Sequence, residues 1–203
     1  MFCLNVCRAH ARIFNTKVSQ IKTKHKNKLK NTRFSHGILH SFIDAVSKTG
    51  VDAIKFQAHF AEHESSKFEK FRINFSKKDK NRYDYWKRIE FNKKEWVEIK
   101  KHCEKVNLDF ICSPFSIYAL NLLEAIGTKT YKIASGEAHN YLLLSEISKL
   151  NRKVILSSGL STYNQLKKII EMFKLKKNKL SIMECTTDYP SKPEEIGLNN
   201  ILK

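Results

Sequence analysis

YKIASGE, residues 131–137, runs from an apolar strand pattern into a small turn that carries Lys132, Ser135 and Glu137. In proteins built on parallel strands, polar groups at the C-terminal end of a strand face the ligand crevice, because the loops that follow those ends meet there. The pattern repeats along the chain. IKFQ (54–57), ICSPF (111–115), ILSSG (155–159) and MECTTDYP (183–190) each pass from a few apolar residues into small, polar or charged ones. Five strand ends offering hydrogen-bonding groups in one direction suggest a single site assembled from several strands, which is the arrangement of a β/α barrel.

Between these strands lie helical periodicities. ILHSFIDAVSKTG (38–50) places Ile38, Phe42, Ile43 and Val46 on one face and stops at Gly50. KKEWVEIKKHCEKVN (93–107), SIYALNLLEAIG (116–127), NYLLLSEISKL (140–150) and TYNQLKKIIEMFK (162–174) continue the alternation. Five strands and their intervening helices are thus expected between residues 52 and 187, as in a parallel α/β sheet whose crossovers are helices. A polar, charged loop is expected from about 58 to 91, long enough to suggest a functional connection. No GxGxxG opens the first unit, so a dinucleotide fold has no positive support.

The chain has 203 residues, 41% of them hydrophobic, enough for a real core. Its formal net charge of +18 is unevenly placed: residues 1–34 hold nine Lys or Arg and no acid, and the remainder holds 29 basic against 20 acidic residues. We expect a basic, poorly packed tail over 1–34 and one domain over 35–203. KTKHKNKLK (22–30) shows no apolar face for a groove-binding helix and no nucleic-acid motif accompanies it, so a basic nucleic-acid-binding module is the weakest reading. MFCLNVCRAHARIF lacks the apolar core of a secretory signal, and no apolar run suits a membrane span. Five irregularly spaced cysteines fit a reducing cytoplasm rather than a disulfide framework. Cys3, Cys7 and His10 have no fourth ligand at finger-like spacing, and read as free side chains.

GVDAIKFQ, FICSPF, YKIASGE, VILSSGLST and ECTTDYP resemble, in order and spacing, the sialic acid synthase family, which includes the N-acetylneuraminate and legionaminate synthases. The resemblance runs from about residue 38 to 203, and RYDYWKRIEFNKKEW looks like this family's long second loop. It implies a (β/α)8 barrel that condenses phosphoenolpyruvate with an N-acylated mannose-type sugar, forming a nonulosonic acid and releasing phosphate. It further implies a divalent Mn or Mg ion and a homodimer swapped through a small C-terminal antifreeze-like domain.

A phosphate and a carboxylate need cationic and neutral donors held close together. Lys55, Ser113, Lys132, Ser135, Ser157 and Thr187 match the family's phosphoenolpyruvate positions, and Gln57, Glu137 and Tyr189 those that face the sugar. Glu137 and Lys132 are the catalytic candidates, Glu137 as an acceptor for sugar hydroxyls or a proton carrier when water adds at the enol carbon. Each has a plainer reading. Strand-end lysines are usually solvated, and only their repeat on two neighbouring strands argues otherwise. Glu137 can cap the next helix; Pro114 and Gly159 can shape turns; Cys112 and Cys185 can be small apolar fillers; His139 lies beside the site without a second metal ligand.

The chain also departs from the pattern. NKLKNTRFSHGILH (27–40), where the family's first strand carries an acid and an Asn-His motif, has no glutamate and no apolar strand. YPSKPEEIGLNNILK (189–203) resembles the helix after the sixth strand, so strands seven and eight, the metal-binding histidines and the antifreeze-like domain are not found in this sequence. The expectation is an incomplete barrel of about five to six β/α units with the phosphoenolpyruvate half of the site. Two readings stand: a synthase-like enzyme, or an inactive truncated fragment or pseudoenzyme of that family.

Overall fold

The computed structural model describes residues 6–7, 36–71, 76, 78–175, 179–187 and 191–202. Its frame is a six-stranded sheet in the order β1 to β6: β1 (Val6–Cys7), β2 (Ala53–Ala58), β3 (Asp109–Pro114), β4 (Thr130–Ile133), β5 (Lys153–Ser157) and β6 (Lys179–Met183). The last five are parallel neighbours in chain order, as the alternation predicts. β1 is an addition: Val6 and Cys7 pair antiparallel with Ile54 and Ala53, so two tail residues belong to the sheet.

Among the described residues seven α-helices connect the strands: α1 (His36–Ser47), α2 (Ala61–Glu64), α3 (Arg82–Ile89), α4 (Lys93–Lys105), α5 (Ile117–Ala125), α6 (Tyr141–Lys149) and α7 (Tyr163–Leu175). Their starts follow from local chemistry. Asn92 and Glu95 form a capping box at α4, with Asn92 Oδ1 accepting from Glu95 N at 3.0 Å and Glu95 Oε2 from Asn92 N at 2.7 Å. Ser116 caps α5 and Asn140 caps α6 in the same manner, each satisfying one orphan amide, worth about 1 kcal/mol. Gly50 ends the α1 turn at φ 71°, a left-handed conformation that a side chain disfavours.

Strand alternation then sorts the side chains. Ile54, Phe56, Ala58, Phe110, Cys112, Tyr131, Ile133, Val154 and Leu156 turn toward the helices and join the core with Ile43, Trp96, Ile99, Leu123, Leu144, Ile147 and Phe173. Within it Trp96 meets Phe56, Phe91 and Phe110 edge-on, at ring distances of 5.6–6.3 Å. The intervening residues, among them Lys55, Gln57, Ser113, Lys132 and Ser157, take the opposite, polar face.

Two expectations are corrected here. The 58–91 connection contains α2 and α3, fastened by Arg82–Glu69 at 2.7 Å, Lys87–Glu62 and Lys87–Glu90 at 2.9 Å, and a two-point Arg88–Asp79 pair. Its charges serve one another and hold helices where the sequence suggests only a polar, charged loop. After β6, the anticipated helix is replaced by short 3-10 turns at Pro193–Glu195 and Leu198–Leu202. Among the described residues no helix is long and apolar enough to cross a membrane.

Candidate active site at the strand ends

The register of the parallel strands sets the polar face in layers. Gln57 pairs with Ser113, and one residue beyond the Cys112–Tyr131 pair the same register brings Lys132 level with Ser113. Lys132 in turn pairs with Ile155, so Ser157 stands one layer higher on the next strand. Lys55 lies one layer below Gln57, beside Ile111. The two lysines are therefore not on neighbouring strands, as the motif spacing suggests; β3 runs between them. Both are more than nine-tenths buried, at 8% and 9% exposure, which removes the reading of solvated strand-end lysines.

Lys132 Nζ donates to the Ile133 carbonyl at 3.0 Å and to Ser157 Oγ. Ser157 Oγ also accepts from the Cys185 thiol at 3.1 Å. With both lone pairs engaged, the Ser157 hydroxyl proton is left to be donated outward. Ser113, 1% exposed, has a buried Oγ with no hydrogen-bond partner among the described residues. A buried hydroxyl in that condition carries a desolvation cost that a ligand oxygen would relieve. Two hydroxyl protons and a buried ammonium on one face form a donor set for an anion.

The loops after β4, β5 and β6 close on Gly159. A Cβ there would lie 2.7 Å from the Cys185 carbonyl oxygen and Thr187 Cγ2, and 3.0 Å from Ser135 Oγ. Ser135 and Thr187 thus flank one spot, and glycine is required by contact rather than merely by turn geometry. Ser158, which sequence reasoning passed over, ties the same loops together: its N donates to Met183 O at 2.9 Å, its Oγ to Glu184 Oε2 at 2.8 Å, and its Oγ accepts from Cys185 N at 3.2 Å. The doubled serine of ILSSG was the available signal, since alternation sends the second hydroxyl away from the first.

Glu137, half-buried in a 3-10 turn (Ser135–His139), accepts from Asn140 Nδ2 at 3.0 Å. The helix cap is Asn140, and Glu137 orients it, so the plain reading of Glu137 is met indirectly. His139 Nε2 donates to the Leu160 carbonyl at 2.9 Å, linking the turn after β4 to the loop after β5. Cys112 is a fully buried filler whose thiol is pushed up by burial, while Cys185 is more than filler because it holds Ser157. Thr187 is exposed, and Tyr189 lies outside the described residues.

The family model described as the NeuB family matches residues 42–203, which contain every one of these side chains. The chain belongs to the NeuB family. Its NeuB relatives include the N,N'-diacetyllegionaminic acid synthase of Campylobacter jejuni, 30% identical over 162 residues, covering 77% of this chain and 48% of the relative. The pseudaminic acid synthase of Helicobacter pylori is 30% identical over 165 residues, covering 79% and 48%. The N-acetylneuraminic acid (sialic acid) synthetase of Leptospira borgpetersenii, solved with citrate, superposes with a TM-score of 0.70 at 29% identity over 82% of this chain and 55% of that one. A truncated 3-deoxy-D-arabino-heptulosonate 7-phosphate synthase from Thermotoga maritima, 14% identical with a TM-score of 0.54 over 77% of this chain and 50% of that one, shares the barrel-like α/β fold. This NeuB chain spans about half the length of the curated relatives it matches.

Proposed function

We propose that this chain carries the phosphoenolpyruvate-binding part of a synthase that joins phosphoenolpyruvate to an N-acylated mannose-type sugar, giving a nonulosonic acid and phosphate. The observation that carries the proposal is the Lys132–Ser157–Cys185 network beside the unpaired Ser113 hydroxyl. We read residues 35–203 as an incomplete part of a (β/α)8 barrel, with the site at the C-terminal ends of its strands.

In this reading Lys55 and Lys132 balance the phosphate and carboxylate charges, and Ser113, Ser135, Ser157 and Thr187 donate to their oxygens. Carbon 3 of the enol attacks the sugar aldehyde, water adds at carbon 2, and phosphate departs. Gln57, Glu137 and Tyr189 face the sugar; Glu137 has one carboxylate oxygen on Asn140 and the other in reach of a hydroxyl or a proton.

The resemblance implies a divalent Mn or Mg ion to polarise the aldehyde. Among the described residues no cluster of three His, Cys, Asp or Glu side chains is placed to hold one. The described residues do not fit the metal, and no step is routed through it. The family homodimer likewise belongs to the proposal.

The test is phosphate release from phosphoenolpyruvate by the purified chain with Mn and a panel of N-acylated mannose-type sugars, beside Lys132→Ala. Release that requires both substrates and vanishes in the variant supports the synthase. No release, together with phosphoenolpyruvate binding that Lys132→Ala abolishes, assigns the chain as a binding fragment or pseudoenzyme. No binding at all overturns the reading.

A further inference from the structure

We propose that His59 is a positioning residue: its imidazole clamps the 59–92 connection onto the mouth of the sheet and so holds Gln57 in place. The role of Gln57 rests on the function proposed above; the clamp itself does not.

His59 follows β2 directly and shares the parity of Lys55 and Gln57, so it extends the polar face by one layer. Phe115 stands in the same relation to Ser113 on β3. The two rings stack at 4.0 Å between centroids, 23° apart in plane. On the other side Trp86, from α3, stacks on the imidazole at 3.7 Å and 16°. Nδ1 lies 2.6 Å from Glu64 Oε2, on α2, and the other oxygen of Glu64 accepts from the Phe60 amide. One ring thus touches the end of β2, the end of β3 and both helices of the connection. The His59 and Glu64 side chains are each 10% exposed.

Histidine meets both demands, a flat ring for the stacks and a nitrogen for Glu64. Phenylalanine could fill the slot between Trp86 and Phe115 but could not bond Glu64; glutamine could bond Glu64 but could not stack. Beneath the clamp, Gln57 and His59 line a small cavity with Ile89, Glu90, Phe91 and Trp96, so the connection forms a wall of the space that Gln57 faces. Glu90, which lines that cavity, accepts from the Ala61 amide at 3.3 Å and pairs with Lys87, continuing the fastening from α2 to α3. Loosening His59 would free this wall while leaving the Lys132–Ser157 pair, two strands away, untouched.

The experiment compares the full chain with His59→Gln, His59→Phe and Glu64→Gln. It reads the thermal midpoint, trypsin cleavage within residues 67–94, and the separate affinities for phosphoenolpyruvate and N-acetylmannosamine. We expect His59→Gln to be cleaved about tenfold faster in that segment, as for a locally opened element, while the whole chain melts cooperatively. Sugar affinity should fall about tenfold with phosphoenolpyruvate affinity unchanged, and His59→Phe should restore part of both. Should His59→Gln fail to fold, Glu64→Gln reads the same cleavage with both ring stacks kept. Cleavage at the wild-type rate in a folded variant, or equal weakening of both ligands, overturns the proposal. A wild-type chain that binds neither ligand, with His59→Gln still opening the segment, overturns the functional reading and leaves the clamp standing.

Discussion

Lys132 on β4 and Ser157 on β5 share a hydrogen bond although their strand register sets them one layer apart. The lysine therefore reaches up toward the strand ends, where the hydroxyl receives it together with the Cys185 thiol. Ser157→Ala removes this acceptor and the one proton that the hydroxyl has left to give. We expect phosphoenolpyruvate affinity, measured by calorimetry, to fall about tenfold, which is about 1.4 kcal/mol, with the circular dichroism spectrum preserved.

Ser113→Ala separates stability from binding. The native hydroxyl is buried without a partner, a condition that costs about 1–3 kcal/mol. We expect the variant to melt at or above the wild-type midpoint without ligand and to gain less on adding phosphoenolpyruvate. A lower midpoint without ligand would mean that Ser113 supports the fold instead of the site.

Thiol reactivity should rank by position. Burial pushes the Cys103 thiol up to about 12 and raises that of Cys112 as well, so both stay protonated and shielded at pH 8. Cys185 is partly exposed and within 3.1 Å of Ser157 Oγ. Mass-spectrometric mapping of alkylation should find Cys185 modified in the folded chain and Cys103 and Cys112 only after unfolding. Phosphoenolpyruvate should slow the modification of Cys185.

At the opposite side of β4 from the site, Tyr131 donates from its hydroxyl to Glu124 Oε1 at 2.5 Å, and Arg152 grips the same carboxylate at 3.0 and 3.1 Å. Burial, then the Glu124 hydrogen bond and charge, raise the tyrosine above its ordinary value near 10. The folded state then keeps the proton at a pH where the unfolded chain has lost it, so stability declines as pH rises beyond about 10. Tyr131→Phe should flatten that decline in alkaline urea titrations, at the cost of the neutral-pH hydrogen bond.

Much of this was legible in the sequence because it depends on period and order. Strands β2 to β6 and helices α1 and α4 to α7 announce themselves by apolar spacing and by caps such as Asn92, Ser116 and Asn140. Lys55, Ser113, Lys132 and Ser157 stand out in the sequence by their place at strand ends and by the resemblance, and the strand register puts all four on one face. What escaped depends on contacts between distant positions. RYDYWKRI reads as part of a long polar loop until Arg88 meets Asp79 and Trp86 meets His59. Glu137 reads as a catalytic acid or a helix cap; its bond to Asn140 is a third arrangement that spacing does not encode. Nothing in VC at residues 6–7 foretells pairing with Ala53 and Ile54, since two residues carry no periodicity.

The layered register has a consequence for which changes of length this chain could survive. Inserting or deleting one residue within β4 would exchange the faces of Tyr131 and Lys132, driving an ammonium into the helix-packed core and a phenol onto the polar face. The described residues between Glu64 and Asn81 form no strand and so follow no such parity. Length variation among relatives of this chain should therefore gather there and spare the strands.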